Sequence, residues 1–218
     1  MTRPIPMLLA LAGAAALPTL ARAQDPAAGH QKAAMCIGCH GIPGYQASFP
    51  EIHKVPKIAG QNARFIVAAL NAYKKGERKH PTMKAIAGSL TDQDMGDLAA
   101  YYEKLGTSSI KPVADTAAAP PPPDVAALLS KGNCASCHGA NFSKAIDPSY
   151  PKLAGQYADY LFVALKAYQT EGNPQIGRAN PIMGAQVKPF KRTELEAIAK
   201  YLATLPGDIQ SVAQPRLR

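Results

Sequence analysis

The sequence predicts an all-α protein built from two tandem helical domains. Three observations carry that reading. The pentapeptide Cys36-Ile37-Gly38-Cys39-His40 recurs as Cys134-Ala135-Ser136-Cys137-His138. The block Pro56-Lys57-Ile58-Ala59-Gly60-Gln61 recurs as Pro151-Lys152-Leu153-Ala154-Gly155-Gln156. Between and after these blocks the apolar residues fall at helical spacing, and no alternating run of strand length is present. The two copies are offset by 98 residues at the first motif, 95 at the second and 100 from Pro81 and Pro181 onward. One order of motifs with slightly different loop lengths is the mark of a duplicated fold.

The first 23 residues read as a secretory signal. Arg3 supplies the positive end, Met7 to Leu20 is apolar, and Ala21-Arg22-Ala23 gives a small-x-small cleavage pattern. The mature chain is expected to begin at Gln24, after cleavage behind Ala23. The apolar run falls short of the roughly 20 residues of a membrane span, so no transmembrane segment is expected in the mature chain. Export implies the periplasm and permits disulfides.

Lobe one, residues 24–105, opens with a helix expected over Ala27 to Cys36. A second is expected over Asn62 to Lys75, with Phe65, Ala69, Leu70 and Tyr73 on one face. The last is expected to start at Thr91, with Asp94 three residues on; its apolar stripe is Met95, Leu98, Ala99, Tyr102 and Leu105. The stretch Gly106 to Pro123 ends in three alanines and four prolines and reads as a semi-rigid linker over 106–123. Asp124 is expected to cap the first helix of lobe two, residues 124–218. The last helix of lobe two is expected to start at Thr193 with a capping box to Glu196. It repeats the stripe as Leu195, Ile198, Ala199, Leu202 and Leu205.

Two cysteines three apart, with a histidine directly after the second, form the attachment signature of a c-type haem. Positions i, i+3 and i+4 share one helical face. Each thiol can then join one haem vinyl group while the histidine points at the iron. The two motifs use all four cysteines in the chain, which leaves none for a disulfide. A zinc site needs four protein ligands, and neither motif has a second Cys/His pair at ligand spacing nearby. Cys36, Cys39, Cys134 and Cys137 are therefore read as holding two covalent haems, with His40 and His138 as axial ligands. Each domain is small and poor in aromatics, and the haem supplies the apolar centre that it lacks.

What fills the other axial position separates a carrier from an enzyme. After His138 the sole methionine is Met183, in Asn180-Pro181-Ile182-Met183. Lobe one offers Met83, in His80-Pro81-Thr82-Met83, and Met95, whose repeat partner is Leu195. A methionine that alternates with leucine is packing, so Met83 and Met183, both placed on loops, are read as the ligands. His80 is the rival in lobe one, but it aligns with Asn180, which cannot serve. Met35, His30 and His53 are read as non-ligands, the two histidines as exposed or locally hydrogen-bonded. Methionine sulfur favours ferrous iron and raises the potential. Closing both axial positions favours electron exchange over reaction with peroxide or oxygen.

The formal charge is +9, or +7 without Arg3 and Arg22, and four haem carboxylates would offset part of it. No basic cluster is interleaved with aromatics, so the charge is read as steering toward acidic docking surfaces of redox partners and not as nucleic-acid binding.

Taken together, Cys-x-x-Cys-His, Pro-Lys-(Ile/Leu)-Ala-Gly-Gln, a methionine and a capped final helix resemble one class I cytochrome c domain. Two such domains in one exported chain resemble the dihaem cytochrome c4 family, over essentially the whole mature chain. The resemblance implies that Pro56 and Pro151 offer backbone carbonyls to His40 and His138. It also implies that Ile58 and Leu153 pack on the haems and that Gln61 and Gln156 lie near them. It implies an electron carrier, not an enzyme, working between a quinol-oxidising complex of the respiratory chain and a terminal oxidase or other acceptor. The insert from Gly44 to Val55 departs from the pattern. Two alternatives stay open: a dihaem cytochrome subunit of a dehydrogenase complex, and a dihaem peroxidase or sulfur-compound dehydrogenase.

Overall fold

The computed structural model describes residues 24–105 and 120–213; the expected signal segment and most of the expected linker lie outside the described residues. Both lobes are helical. Lobe one runs α1 (Pro26–Lys32), α2 (Ala34–His40), β1 (Gln46–Ala47), β2 (His53–Lys54), α3 (Ala63–Lys75), β3 (Arg78–Lys79), α4 (Pro81–Gly88) and α5 (Asp92–Lys104). Lobe two runs α6 (Pro123–Lys131), α7 (Cys134–His138), α8 (Ala158–Gln169), β4 (Gly177–Arg178), α9 (Pro181–Val187) and α10 (Arg192–Thr204).

In lobe one the first and last helices cross closely. Asp25 caps α1 through Ala27 N–H at 2.8 Å, and Pro26 pre-sets its first turn. At the crossing, Gly29 lies so near α5 that a Cβ there would stand 2.1 Å from the Asp97 carbonyl oxygen. The buried Asp97 carboxylate ties the crossing together. It accepts from Asp25 N–H (2.9 Å), Lys32 Nζ (2.8 Å) and Gln93 Nε2 (2.8 Å). The expected single helix into the haem motif is instead two. Ala33, buried in the core, closes α1 with a 3.2 Å bond from its N–H to His30 O and caps α2.

The α5 and α10 stripes lie largely as expected: Met95, Leu98, Ala99 and Tyr102 are buried and Leu105 half-buried, and Leu195, Ile198, Ala199, Leu202 and Leu205 are all buried. The buried residues of α3 are Ala63, Ile66 and Tyr73; of the expected face Tyr73 is buried, Leu70 packs on the core, and Phe65 and Ala69 are half-buried. Thr91 caps α5 in a reciprocal box with Asp94. The lobe-two helix does not start at Thr193. It starts at Arg192, and the Glu194 carboxylate accepts from Lys191 N–H at 2.6 Å. Asp124 likewise is not a cap. Pro123, whose ring fixes a helical φ, starts α6 one residue earlier, and Asp124 sits in the first turn.

The lobes are joined by contacts related by an approximate two-fold. Gly60 and Gly155 take positive φ (80° and 72°), a conformation open to glycine at little cost. Their N–H groups bond to Tyr102 O (2.8 Å) and Leu202 O (3.0 Å), so each turn rests on the end of its own last helix. From these turns Gln61 and Gln156, both buried, reach into the other lobe. Gln61 donates to Lys152 O (3.0 Å) and accepts from Lys152 N–H (2.9 Å). Gln156 donates to Lys57 O (2.9 Å) and accepts from Lys57 N–H (3.0 Å). β3 pairs antiparallel with β4, with Arg78 opposite Arg178. Beyond α10 the chain crosses back, and Gln210 pairs with Ala59.

The lobe-one insert adds a contact without a symmetric partner. Its β1–β2 hairpin lies on lobe two. Gly44 N–H donates to Tyr157 Oη (3.1 Å), and Lys54 bonds through both backbone N–H and Nζ to Asp159 (3.1 Å each). Glu51 pairs with Lys166 and, at 3.5 Å, with Arg192. Near the hairpin tip the Phe49 ring meets His80 edge-on, centroids 5.6 Å apart.

Candidate haem sites

Both Cys-x-x-Cys-His motifs are helical, as their spacing requires. Cys36 and Cys39 lie on α2 with His40 as its last residue; Cys134, Cys137 and His138 lie on the single turn α7. All four cysteines are half-buried and none is joined to another. Burial pushes the Cys36 and Cys134 thiols up. Among the described residues no three His, Cys, Asp or Glu side chains gather as a metal cluster, so nothing there completes a four-ligand zinc site.

Each histidine is held by one proline. His40 Nδ1 lies 2.8 Å from Pro56 O, and His138 Nδ1 lies 3.2 Å from Pro151 O. A carbonyl only accepts, so Nδ1 carries the proton and Nε2 keeps its lone pair for a metal. Burial, partly opposed by the proline carbonyl, lowers both imidazoles from their ordinary pKa. The neutral ring is the form that ligates iron. Ile58 and Leu153 are half-buried against the lobe cores. Gln61 and Gln156 lie three residues further on, in the cross-lobe clasp already described.

Met83 and Met183 are not on loops. Each is the third residue of a short helix that begins with proline, α4 or α9, and each is half-buried. The residue before the proline caps the methionine's own amide. Asn180 Oδ1 accepts from Met183 N–H at 2.9 Å, and His80 Nδ1 accepts from Met83 N–H at 3.4 Å. His80 is thus occupied as a helix cap. Met95 is fully buried among the α5 core residues. His53 is buried, and its Nδ1 lies 2.8 Å from Glu51 O; His30 is exposed and leans on Tyr101.

One part of the site shows in the sequence only as a repeat, since Arg78 and Arg178 recur at the offset of 100 that relates Pro81 to Pro181. Arg78 and Arg178, from the cross-lobe β3–β4 pair, converge on Tyr160 Oη at 2.7 and 3.3 Å. Tyr73 covers Arg78 (4.6 Å) and Tyr168 covers Arg178 (5.2 Å). Among the described residues neither guanidinium pairs with a carboxylate, and the buried Arg78 Nε has no partner. Burial raises the Tyr160 phenol, but the charges of Arg78 and Arg178 outweigh it and bring the pKa down to about 8. Two cations beside each other without an anion are costly. A haem brings two carboxylates, so the donor set fits that group: thiols and a neutral imidazole on one helix face, and guanidiniums for the acid side chains.

Comparison with known proteins agrees. The cytochrome c family model matches the chain twice, over residues 26–106 and 124–206. Cytochrome c4 of Azotobacter vinelandii is 31% identical over 200 residues, 84% of this chain and 90% of that protein. A thiosulfate dehydrogenase electron acceptor of Stutzerimonas stutzeri is 32% identical over 213 residues, 89% of this chain and 94% of that protein. The crystal structure of reduced cytochrome c4 from Pseudomonas stutzeri superposes with a TM-score of 0.60 at 27% identity, covering 84% of this chain and 100% of that one. With a doubled haem-attachment motif, a doubled histidine–proline bond and a doubled family match, the chain belongs to the cytochrome c family as a two-domain, two-haem protein of the cytochrome c4 kind.

Proposed function

We propose that this dihaem electron carrier is exported, cut after Ala23, and folded as domains 24–105 and 124–218 joined by 106–123. In the periplasm it passes single electrons from a quinol-oxidising complex to a terminal oxidase or another acceptor. The observation that carries the reading is the matched placement of four residues. His40 and His138 are each fixed by a proline carbonyl, and Met83 and Met183 each sit at the third position of a proline-started helix. His40 with Met83 ligates one iron and His138 with Met183 the other.

Each haem, when bound, supplies a one-electron ferrous/ferric couple. The chain does the rest. The cysteines prevent loss of the group, the prolines fix the imidazole tautomer, and the methionine sulfurs favour the reduced metal and close it to small oxidants. Ile58 and Leu153 wall the haems from water. The positive surface steers acidic partners into place. Among the described residues no helix is long and apolar enough to cross a membrane.

A second reading has its own support. Two relatives are named thiosulfate dehydrogenase electron acceptors, and the first of them matches this chain over nearly its whole length. On that reading the donor is a sulfur-compound dehydrogenase and this chain its dedicated acceptor. The test is a holoprotein matured in a host able to attach haem. Two covalent haems and little carbon monoxide binding after reduction support the carrier; rapid stoichiometric binding refutes it in favour of an enzyme. Reduction by a quinol-oxidising complex, compared with reduction by a thiosulfate dehydrogenase plus thiosulfate, decides the donor.

A further inference from the structure

The Arg78–Tyr160–Arg178 node belongs to neither lobe alone. Arg78 is a lobe-one residue and Arg178 its register partner in lobe two. The hydroxyl between them comes from α8 of lobe two. The duplication makes Phe65 the counterpart of Tyr160, so lobe one has no hydroxyl at the equivalent position. The other ring facing Tyr160 is His53 of the insert, stacked at 6.4 Å. The node is rich in donors and short of anions, and Arg78 Nε is left over. Haem attachment is the event that brings carboxylates into each lobe.

We propose that Tyr160 is a positioning residue shared by both redox centres: its single hydroxyl holds Arg78 and Arg178 together as one cationic seat for the haem carboxylates of both lobes. The proposal rests on the two-haem electron-carrier reading and extends it to how the two centres feel each other. The phenol oxygen accepts from both guanidiniums and so lets two like charges stand side by side. Without it they repel and draw apart, and each centre loses part of the positive field that favours its reduced form.

The test is Tyr160→Phe, which gives lobe two the residue that lobe one already has at 65. Redox titration of the holoprotein, followed by visible spectroscopy, reads both haems at once. The expected result is that both midpoints move to lower potential together, with two haems retained and both methionine–iron charge-transfer bands intact. Arg178→Gln, which removes charge from the same seat, is expected to move both midpoints further in the same direction. A shift confined to one midpoint in both variants, or no shift, overturns the proposal. Fewer than two haems in the wild-type protein overturns the two-haem reading, and this proposal with it.

Discussion

Gln156 binds Lys57 as a neighbouring strand would: its amide donates to the Lys57 carbonyl at 2.9 Å, and its oxygen accepts from the Lys57 N–H at 3.0 Å. Lys57 directly follows Pro56, whose carbonyl holds His40. Gln61 repeats the arrangement on Lys152, next to Pro151 and His138. The segments that orient the two histidines are thus each held from the opposite lobe.

Removing one clasp leaves a half-buried N–H and a half-buried C=O without this partner. Gln156→Ala is therefore expected to cost about 1–3 kcal/mol, measured by denaturant unfolding of the holoprotein. Amide exchange at Lys57 is expected to speed up. Gln156→Glu keeps the acceptor and loses the donor, so at neutral pH it is expected to rescue little.

The axial methionines are separable. Met83→Ala and Met183→Ala are each expected to lower one potential and to abolish the methionine–ferric charge-transfer band of one haem, about half of the total absorption if the two sites are alike. Met95→Leu, a near-isosteric core change, is expected to leave the band intact. An unchanged spectrum in either alanine variant refutes that ligand.

Asp97 gives the fold a defined acid limit. Burial alone would raise its carboxyl, but the N–H of Asp25, the ammonium of Lys32 and the amide of Gln93 outweigh burial and hold it below the usual carboxylate range. A lowered folded pKa adds stability above the unfolded value of about 4, and that stability is lost as pH falls through the folded value. Asp97→Asn is expected to cost roughly 1.5–3 kcal/mol at neutral pH. In melts taken from about pH 5 downward, its stability is expected to fall less steeply than the wild type's.

The two candidate caps make a matched pair. Thr91→Ala removes the acceptor for Asp94 N–H (3.1 Å) and is expected to cost about 1 kcal/mol. Thr193 lies exposed inside the first turn of α10, and Thr193→Ala is expected to stay within about 0.5 kcal/mol. Thermal unfolding of both variants checks the contrast.

That contrast also marks how far the sequence could be read. Thr91 and Thr193 both stand three before an acid, but at the offset of 100 that aligns Met95 with Leu195, the partner of Thr91 is Lys191. Lysine has no side-chain acceptor, so the motif that looks like a cap lies two residues late. The haem motifs and the stripes of the last helices are legible because their function is written in side-chain type and spacing, whereas the prolines behind the histidines follow only from the family resemblance. The glutamine clasps are not legible, since their partners are backbone peptides that any residue supplies. The arginine node escaped for a related reason: it exists only once β3 and β4, far apart in sequence, are paired. The methionine helices look like loops in the sequence because each is one or two turns long, too short to show a period.

The insert hairpin changes what the segment between the lobes has to do. With Glu51 and Lys54 anchored on α8 and α10, both clasps closed and Gln210 returned to Ala59, the halves are joined directly by residues outside the peptide that connects them. That peptide guarantees equal numbers of each half from a single round of synthesis. A protease cut within residues 106–119 would then yield two fragments that stay together on a sizing column, and substitutions there can accumulate at small expense to the assembled pair.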